Sequence, residues 1–123
     1  MKYITIDGDD IGQKITSSYL KNDVAALKDI NRIVQEKTTE ISVYLKSLGF
    51  EIIFCAADGV AGYTENSTIS DENLYESIKE IASPSISFSC GVGETLQESY
   101  IALLSAKSNG KSCLHNYMSL NQL

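Results

Sequence analysis

The stretch KYITIDGDDIG at residues 2–12 combines a strand pattern with a cluster of acids. Residues 2–7 alternate in polarity and include β-branched side chains, which predicts a strand that ends at Asp7. A tight acidic loop follows, and residues 13–20 have the composition to start a helix. The chain therefore begins with a strand whose end brings carboxylates to one place.

Asp7, Asp9 and Asp10 fall within four residues. Carboxylates this close repel one another unless a cation or hydrogen-bond donors compensate, and Mg²⁺ and Mn²⁺ prefer such oxygen-rich sites. An acidic run after a strand is also typical of a solvated turn or of a cap for the next helix. An EF-hand loop is excluded because Ile11 and Ser18 occupy positions that need ligands.

The rest of the chain predicts the order β-α-β-β-α-β-α-(β). Its first six elements match the ferredoxin-like split βαβ arrangement, with the first and third strands in the centre of the sheet. We therefore expect an α/β (α+β) fold with an antiparallel sheet and helices packed on one face. No repeat or linker is present, so residues 1–123 are predicted to form one domain. The predicted strands are 2–7, 50–56, 59–64, 85–93 and 112–117, and the first two predicted helices are 13–20 and 24–48. A third helix is capped by Ser70 or Asp71 and cannot continue through Pro84, and a fourth ends at Asn109-Gly110.

A predicted β-hairpin supplies another carboxylate. The strands 50–56 and 59–64 flank Ala57 and Asp58, and Asp58-Gly59 is a turn dipeptide. Asp58 on its own would be explained by the turn. Together with Asp7 at the end of a neighbouring strand, it suits a two-metal site for phosphoryl transfer.

The predicted strand 85–93 and the helix that follows it each have one apolar side and one polar side. Residues 85–93 alternate, and Ser87 and Ser89 on the polar side are candidates for reading a base or for packing against a partner chain. Thr95 with Glu98 forms a capping box at the start of the helix. The apolar residues predicted to face inward on this helix are Leu96, Tyr100, Leu103 and Leu104.

Lys107 and Lys111 stand near the end of the same helix, in the segment AKSNGKS. Lysines there complement the helix dipole, which is one interpretation of the pair. The other interpretation is that they neutralise a bound triphosphate. Both remain open on the sequence alone.

Composition narrows the possible partners. The chain carries 16 Asp and Glu against 10 Lys and Arg, a formal net charge of -6, which disfavours long nucleic acids and anionic membranes. No apolar run approaches the roughly 20 residues that span a bilayer. Three widely spaced cysteines, Cys55, Cys90 and Cys113, indicate reduced thiols with a packing role in a cytoplasmic protein.

Three segments together resemble the Palm-domain nucleotidyl cyclases, a group that includes GGDEF diguanylate cyclases and the Palm domains of type III CRISPR large subunits. They are KYITIDGDDIGQKI, EIIFCAADGVAGYT and SISFSCGVGETLQESYIALLSAKSNGKS. The chain is most similar to the minimal CRISPR polymerase family, mCpol. The segment AADG at residues 56–59 stands where relatives have GGDEF or GGDD, so two glycines are replaced by alanines and the fourth, acidic position by Gly59.

The resemblance implies a role for each matching residue. Asp7 and Asp58 would be catalytic metal ligands, and the backbone carbonyl of Gly8 would also touch a metal. Asp9 matches a nearby second acid. The resemblance assigns Lys107 and Lys111 to the triphosphate. Backbone N–H groups of the segment from Asp9 through Asp10 and Ile11 to Gly12, at the start of the first helix, could also cradle phosphate.

The implied activity is condensation of nucleoside triphosphates, with ATP favoured, into a cyclic dinucleotide with release of pyrophosphate. Two Mg²⁺ or Mn²⁺ ions per active site are the implied cofactors. A chain of this length that holds one nucleotide predicts a homodimer, and the product would be an antiviral second messenger read by a separate effector. The alternatives are a hydrolase similar to GTP cyclohydrolase III and a non-catalytic nucleotide sensor.

Overall fold

Five strands and four helices make up the fold, and the computed structural model of the protein describes residues 1–122. The strands are β1 (Lys2–Gly8), β2 (Glu51–Ala56), β3 (Gly59–Thr64), β4 (Phe88–Gly93) and β5 (Leu114–Asn116). The helices are α1 (Ile11–Leu20), α2 (Val24–Ser47), α3 (Asp71–Ala82) and α4 (Leu96–Ser108), followed by a 3-10 helix at Tyr117–Gln122. The predicted order of elements is confirmed.

The sheet has the strand order β2-β3-β1-β4-β5. β1 pairs antiparallel with β3 and β4, which confirms the predicted central position of the first and third strands. β5 is the exception to the antiparallel pattern, since it pairs parallel with β4. The register places Asp7 opposite Gly59, so the end of β1 lies beside the β2–β3 turn.

One face of the sheet carries the main core. Ile4 and Ile6 of β1 are fully buried on this face, where the sheet packs against α2 and α3. Most apolar residues at three- and four-residue steps along α2 lie in or against this core, but Val24 at its start is 66% exposed. The buried apolar side chains that α2 and α3 contribute are Ile30, Val34, Ile41, Leu45, Leu74, Ile78 and Ala82.

α4 departs from the expectation that the helices pack on one face. Side chains alternate across a strand, so Thr5 points away from the Ile4 and Ile6 core. The Thr5 hydroxyl lies 2.7 Å from the Ser99 hydroxyl of α4, which places α4 on the opposite face. The α+β fold class holds, with α2 and α3 on one side of the sheet and α4 on the other.

The inward face of α4 was also predicted incorrectly. Of the four apolar residues expected inside, only Leu103 is buried, while Leu96, Tyr100 and Leu104 are 47%, 54% and 48% exposed. The physical reason is a very close approach between α4 and β4, where Gly91 leaves no room for a large side chain. Small residues fill the interface instead, and the buried ones are Ser99, Ala102 and Ala106.

Smaller differences concern boundaries and cysteines. β4 begins at Phe88 rather than at residue 85, because residues 83–85 turn and residues 86–87 lie outside the ladder.

Cys90 is buried as expected for a packing role, Cys113 is half-buried and Cys55 is exposed, and all three are free thiols. Within residues 1–122, no helix combines the length and apolar character needed to cross a membrane.

Ala57 in the β2–β3 turn has a φ of 50°, in the left-handed region that favours glycine. We expect Ala57→Gly to raise the free energy of unfolding by about 1 kcal/mol, because the backbone strain exceeds the entropy cost of glycine. Ala56→Gly is the matched control and should lower stability by about 0.5–1 kcal/mol, since Ala56 lies in the extended strand β2. Urea denaturation measures both, and equal effects would contradict the strain.

Candidate active site

Asp7, Gly8 and Asp58 meet at one edge of the sheet. Pairing of β1 with β3 brings them together, and the Gly8 N–H donates to the Asp58 carbonyl at 2.9 Å. Gly8 has no room for a side chain, since a Cβ would lie 2.7 Å from Ile11 Cγ1 and 3.4 Å from Asp58 Oδ2. The structure thus brings together the two carboxylates that the sequence assigned to a metal site.

The Asp58 carboxylate is held in an unfavourable electrostatic environment. Burial raises the pKa of Asp58, and the negative charge of Asp7 raises it further. Lys107 opposes this shift only weakly. A bound cation would offset both the desolvation cost of the Asp58 carboxylate and its repulsion from Asp7, so the electrostatics of Asp58 fit a cation site.

The Lys107 ammonium lies among oxygen atoms at the same edge. Its Nζ donates to the Gly8 carbonyl at 2.7 Å and to Asp9 Oδ1 at 3.0 Å, and lies 3.1 Å from Asp7 Oδ2. Burial alone would lower the pKa of Lys107, but the hydrogen bonds to Asp9 and Asp7 raise it above its usual value. A positive charge is therefore already bound by two of the three groups predicted to hold metal.

The donor set fits hard divalent cations. Asp7, Asp58 and the Gly8 carbonyl offer only oxygen atoms, which suits Mg²⁺ and Mn²⁺. In the part of the chain that the structure describes, no cluster of three or more His, Cys, Asp or Glu side chains is arranged to hold a metal ion. Any metal at this edge would depend on two carboxylates, the Gly8 carbonyl and the oxygens of a bound substrate.

Asp9 differs from Asp7 and Asp58 in its burial, since only 3% of its side chain is exposed. Its carboxylate accepts hydrogen bonds from the hydroxyls of Ser89 at 2.7 Å and Ser87 at 2.8 Å, and from the backbone N–H of Ser112 at 3.1 Å. Burial alone would raise the pKa of Asp9, but these serine hydroxyls and Lys107 hold it below its usual value. Asp9 positions Lys107.

The hydrogen bonds to Asp9 correct two expectations. Ser87 and Ser89 point at Asp9, so they are not placed to read a base or to face a partner chain. The N–H of Asp9 donates to the Ser87 carbonyl at 2.9 Å, so it is not available to cradle phosphate.

Asp9→Asn should lower the free energy of unfolding by about 2 kcal/mol at pH 7, since it removes a buried charge that Lys107 and the serines compensate. A folded-state pKa below the unfolded value gives stability that is present above about pH 4 and lost as the pH falls through the folded pKa. The difference between wild type and variant in urea denaturation should therefore shrink in acid.

The exposed carboxylate Asp10 gives the control for this experiment, and Asp10→Asn should change stability by less than about 0.5 kcal/mol. A difference between Asp9→Asn and wild type that stays constant from pH 7 to pH 3 would contradict the assigned charge interaction.

The remaining predicted binding residues lie at the start of α1. Asp10 is the N-cap residue in a left-handed conformation, but its side chain makes no cap hydrogen bond and pairs with the Lys111 ammonium instead. Ile11 is buried and Gly12 has open space around it, both in the first turn of α1. Lys111 lies beyond α4, next to the same loop as Lys107.

A cleft between α1 and α2 adjoins Asp58, and no motif in the sequence predicts it. We call it the α1–α2 cleft; its volume is about 550 Å³, within the range of small-molecule sites. Its walls are mostly apolar, and two amide side chains, Asn31 and Gln35, stand among them. The charged side chain of Lys28 also lines the cleft, and the apolar and aromatic lining residues are Ile15, Tyr19, Leu27, Ile30, Val34 and Ala57.

Comparison with solved structures supports the fold. The chain is similar to the GGDEF domain of DgcB from Caulobacter crescentus, whose crystal structure is in complex with c-di-GMP. The TM-score is 0.68 at 9% sequence identity, over 96% of this chain and 78% of that chain. None of the curated proteins compared with the chain matches it.

One protein family model matches nearly the whole chain. The family model of mCpol, the minimal CRISPR polymerase domain, matches residues 3–117, a range that includes every residue of the site described above. This match supports a function of the nucleotide polymerase or cyclase type. The chain belongs to the mCpol family of minimal CRISPR polymerase domains.

Proposed function

We propose that this protein is a metal-dependent nucleotidyltransferase that joins two nucleoside triphosphates into a cyclic dinucleotide and releases pyrophosphate. The main support is the sheet edge where Asp7, Asp58 and the Gly8 carbonyl meet beside Lys107. This edge offers oxygen donors for two Mg²⁺ or Mn²⁺ ions, and it adjoins a cleft of nucleoside size. Bound divalent ions would offset much of the formal charge of -6 where phosphate arrives.

The proposed chemistry is phosphoryl transfer, carried out twice to close a ring. A 2′ or 3′ hydroxyl oxygen of one nucleotide forms a bond to the α-phosphorus of the other. The bond from that phosphorus to the pyrophosphate oxygen breaks, and the hydroxyl proton passes to water. Ions held by Asp7, Asp58 and the Gly8 carbonyl would lower the hydroxyl pKa and stabilise charge on the phosphate oxygens.

The chain's own residues bind and orient the triphosphate. Lys107 and Lys111 place two ammonium groups beside the acidic loop, where they would offset the charge of the β- and γ-phosphates. Asp9 holds Lys107 close to Gly8, so the ammonium is already in place when the substrate arrives. Backbone N–H groups in the first turn of α1 face the same loop and favour an anion.

The α1–α2 cleft is the proposed site for the base of the nucleotide whose α-phosphorus is attacked. It contains Asp58, so a base bound there would leave its phosphates at the metal site. The apolar walls suit the base faces, while Asn31 and Gln35 supply the donors and acceptors that read a base edge. We favour ATP as the substrate. The product would serve as a second messenger in antiviral defence, read by a separate effector.

The decisive experiment identifies the product. The protein is incubated with each nucleoside triphosphate, singly and in pairs, with Mg²⁺ or Mn²⁺, and products are identified by mass and nuclease sensitivity. Asp58→Ala is the site variant, and Glu80→Ala on the exposed side of α3 is the matched control. Wild type and Glu80→Ala should give a cyclic dinucleotide and pyrophosphate, and Asp58→Ala should give neither.

Other outcomes would identify a different function. The same product from wild type and Asp58→Ala would show that the assigned site is wrong. A nucleotide with a hydrolysed base ring would indicate a hydrolase similar to GTP cyclohydrolase III. Nucleotide binding with no pyrophosphate under any condition would indicate a non-catalytic sensor.

A further inference from the structure

Helix α1 is attached to the rest of the protein along one narrow line. It packs on α2, with the α1–α2 cleft on one side of the contact and a second cleft of about 560 Å³ on the other. Lys14 lines the second cleft, whereas Ile15 and Tyr19 line the α1–α2 cleft. Of the ten residues of α1, only Ile11 and Ser18 are buried, so few buried contacts hold this helix in place.

The sequence of α1, IGQKITSSYL, gives this helix little stability of its own. Six of its ten residues are Gly, Ile, Thr or Ser, which are all less favourable than alanine in a helix. Asp10 at its N-cap position makes no cap hydrogen bond, and its carboxylate pairs with Lys111 instead. Side chains cap the other three helices, at Asp23, Ser70 and Thr95. A helix as short as α1 is marginal in water unless packing stabilises it.

Backbone strain at both ends lowers the local stability of α1 further. Asp10 before the helix and Asn22 after it have φ values of 61° and 51°, in the left-handed region. A residue with a Cβ is disfavoured there, although Asp and Asn tolerate this region better than most. Local unfolding of α1 would release both residues to ordinary backbone conformations, so the strain reduces the free energy of opening.

A nucleotide in the α1–α2 cleft would supply the interactions that α1 lacks. Its phosphates would accept hydrogen bonds from the N–H groups of the first turn, which the Asp10 side chain does not cap. Its base would lie against Ile15 and Tyr19, which are about one turn apart on α1. Tyr19 is 67% exposed, so a stacked base would cover aromatic surface that otherwise lies in water.

From these observations we propose that α1 is a gate, which opens by local unfolding when no nucleotide is bound and is held closed by a nucleotide in the α1–α2 cleft. This inference rests on the proposed function for the nature of the ligand. Because α1 forms one wall of the cleft, the nucleotide leaves when α1 opens, and the stability of α1 sets the rate of release. The phosphates hold the first turn of the helix and the base holds the last.

Amide hydrogen exchange tests the local stability of α1. Without nucleotide, the amides of residues 14–20 should exchange at least about 100-fold faster than those of α3, a capped helix that serves as the internal reference. The ligand is α,β-methylene-ATP with Mg²⁺, which cannot release pyrophosphate. At a concentration 100 times its Kd it should slow exchange in α1 by about 100-fold, because opening of α1 then requires loss of the ligand.

Substitutions at Thr16 change the stability of α1 without removing a contact to the nucleotide, since Thr16 is exposed and lies outside the lining of the α1–α2 cleft. Glycine and alanine differ in helix propensity by an amount equivalent to about fivefold in the opening equilibrium. The α1 amides of Thr16→Gly should therefore exchange about fivefold faster than those of Thr16→Ala, and nucleotide should dissociate about fivefold faster. Stopped flow measures dissociation in a Tyr19→Trp background, because the chain contains no other Trp.

The matched control makes the same exchange of residues in α3, where Glu80→Gly and Glu80→Ala should have equal dissociation rates because Glu80 is exposed on another helix. Protection of the α1 amides as strong as that of α3 without nucleotide would overturn the inference. Equal dissociation rates for Thr16→Gly and Thr16→Ala would also overturn it. If equilibrium dialysis shows no nucleotide bound to wild type, the proposed function fails as well, which is a distinct result.

Discussion

Asp58→Asn should eliminate pyrophosphate release while making the metal-free protein more stable. We expect a loss of activity of at least about 1,000-fold, equivalent to about 4 kcal/mol of transition-state stabilisation, because the amide cannot replace a charged metal ligand. Stability should rise by up to about 1 kcal/mol, since Asp58 is partly exposed and solvent screens its repulsion from Asp7. The two effects have opposite signs.

The pH dependence of the Asp58→Asn effect follows from the raised pKa of Asp58. A folded-state pKa above the unfolded value means that the charged carboxylate destabilises the fold, and that this cost disappears once the group is protonated. The gain in Asp58→Asn should thus be full at pH 7.5 in EDTA and should shrink as the pH falls toward about 4. A variant less stable than wild type in EDTA would contradict the assigned repulsion, and Glu80→Gln provides the control.

Gly91→Ala should lower the free energy of unfolding by about 3 kcal/mol or more. A Cβ at Gly91 would lie 2.1 Å from the Ser99 carbonyl oxygen and 2.2 Å from the Leu103 nitrogen, both in the backbone of α4. Rigid backbone atoms cannot turn aside as a flexible side chain can, so α4 must move as a unit. Urea denaturation measures the loss.

Gly12→Ala is the matched control for Gly91→Ala. Gly12 lies in α1 with nothing within 4 Å of a new Cβ, so alanine should raise stability by about 0.5–1 kcal/mol through its higher helix propensity. Displacement of α4 in Gly91→Ala should also move Lys107 away from the Gly8 carbonyl and weaken nucleotide binding. Equal stabilities for the two variants would contradict the close packing of α4 on β4.

The order of elements and the position of Asp7 beside Asp58 could be predicted from the sequence. Strand alternation, helical spacing and turn residues are local signals, and the ferredoxin-like arrangement then determines which strands are neighbours. Together these signals predict that the end of β1 lies next to the β2–β3 turn, and the register of β1 and β3 confirms it.

The orientation of α4 could not be obtained from hydrophobic spacing. Leu96, Tyr100 and Leu104 have the spacing of a buried stripe, yet the helix presents Ser99, Ala102 and Ala106 to the sheet. The decisive information lies in another element, since the glycines of β4 allow an approach that excludes large side chains. The hydrophobic spacing within a helix does not show how closely the helix packs against the neighbouring strand.

The role of Asp9 was hidden for a related reason. Its partners Ser87, Ser89 and Ser112 are distant in sequence and meet it only after β4 and the segment beyond α4 are in place. Three aspartates that are close in sequence therefore have three different roles. Asp7 faces the predicted metal site, Asp9 is buried under Lys107, and Asp10 pairs with Lys111 at the surface.

The Lys107 ammonium contacts two of the groups, Asp7 and the Gly8 carbonyl, that would hold divalent cations in the proposed function. The ammonium lies between Asp7 and the Gly8 carbonyl, so part of the negative charge of the acidic loop is offset before any metal or nucleotide arrives. Incoming ions must exchange with this single charge. Asp9 keeps the displaced ammonium within reach of the phosphates. Loading of the site would then begin with the transfer of the Lys107 ammonium from Asp7 and the Gly8 carbonyl to the incoming phosphates, which frees these oxygens for divalent ions.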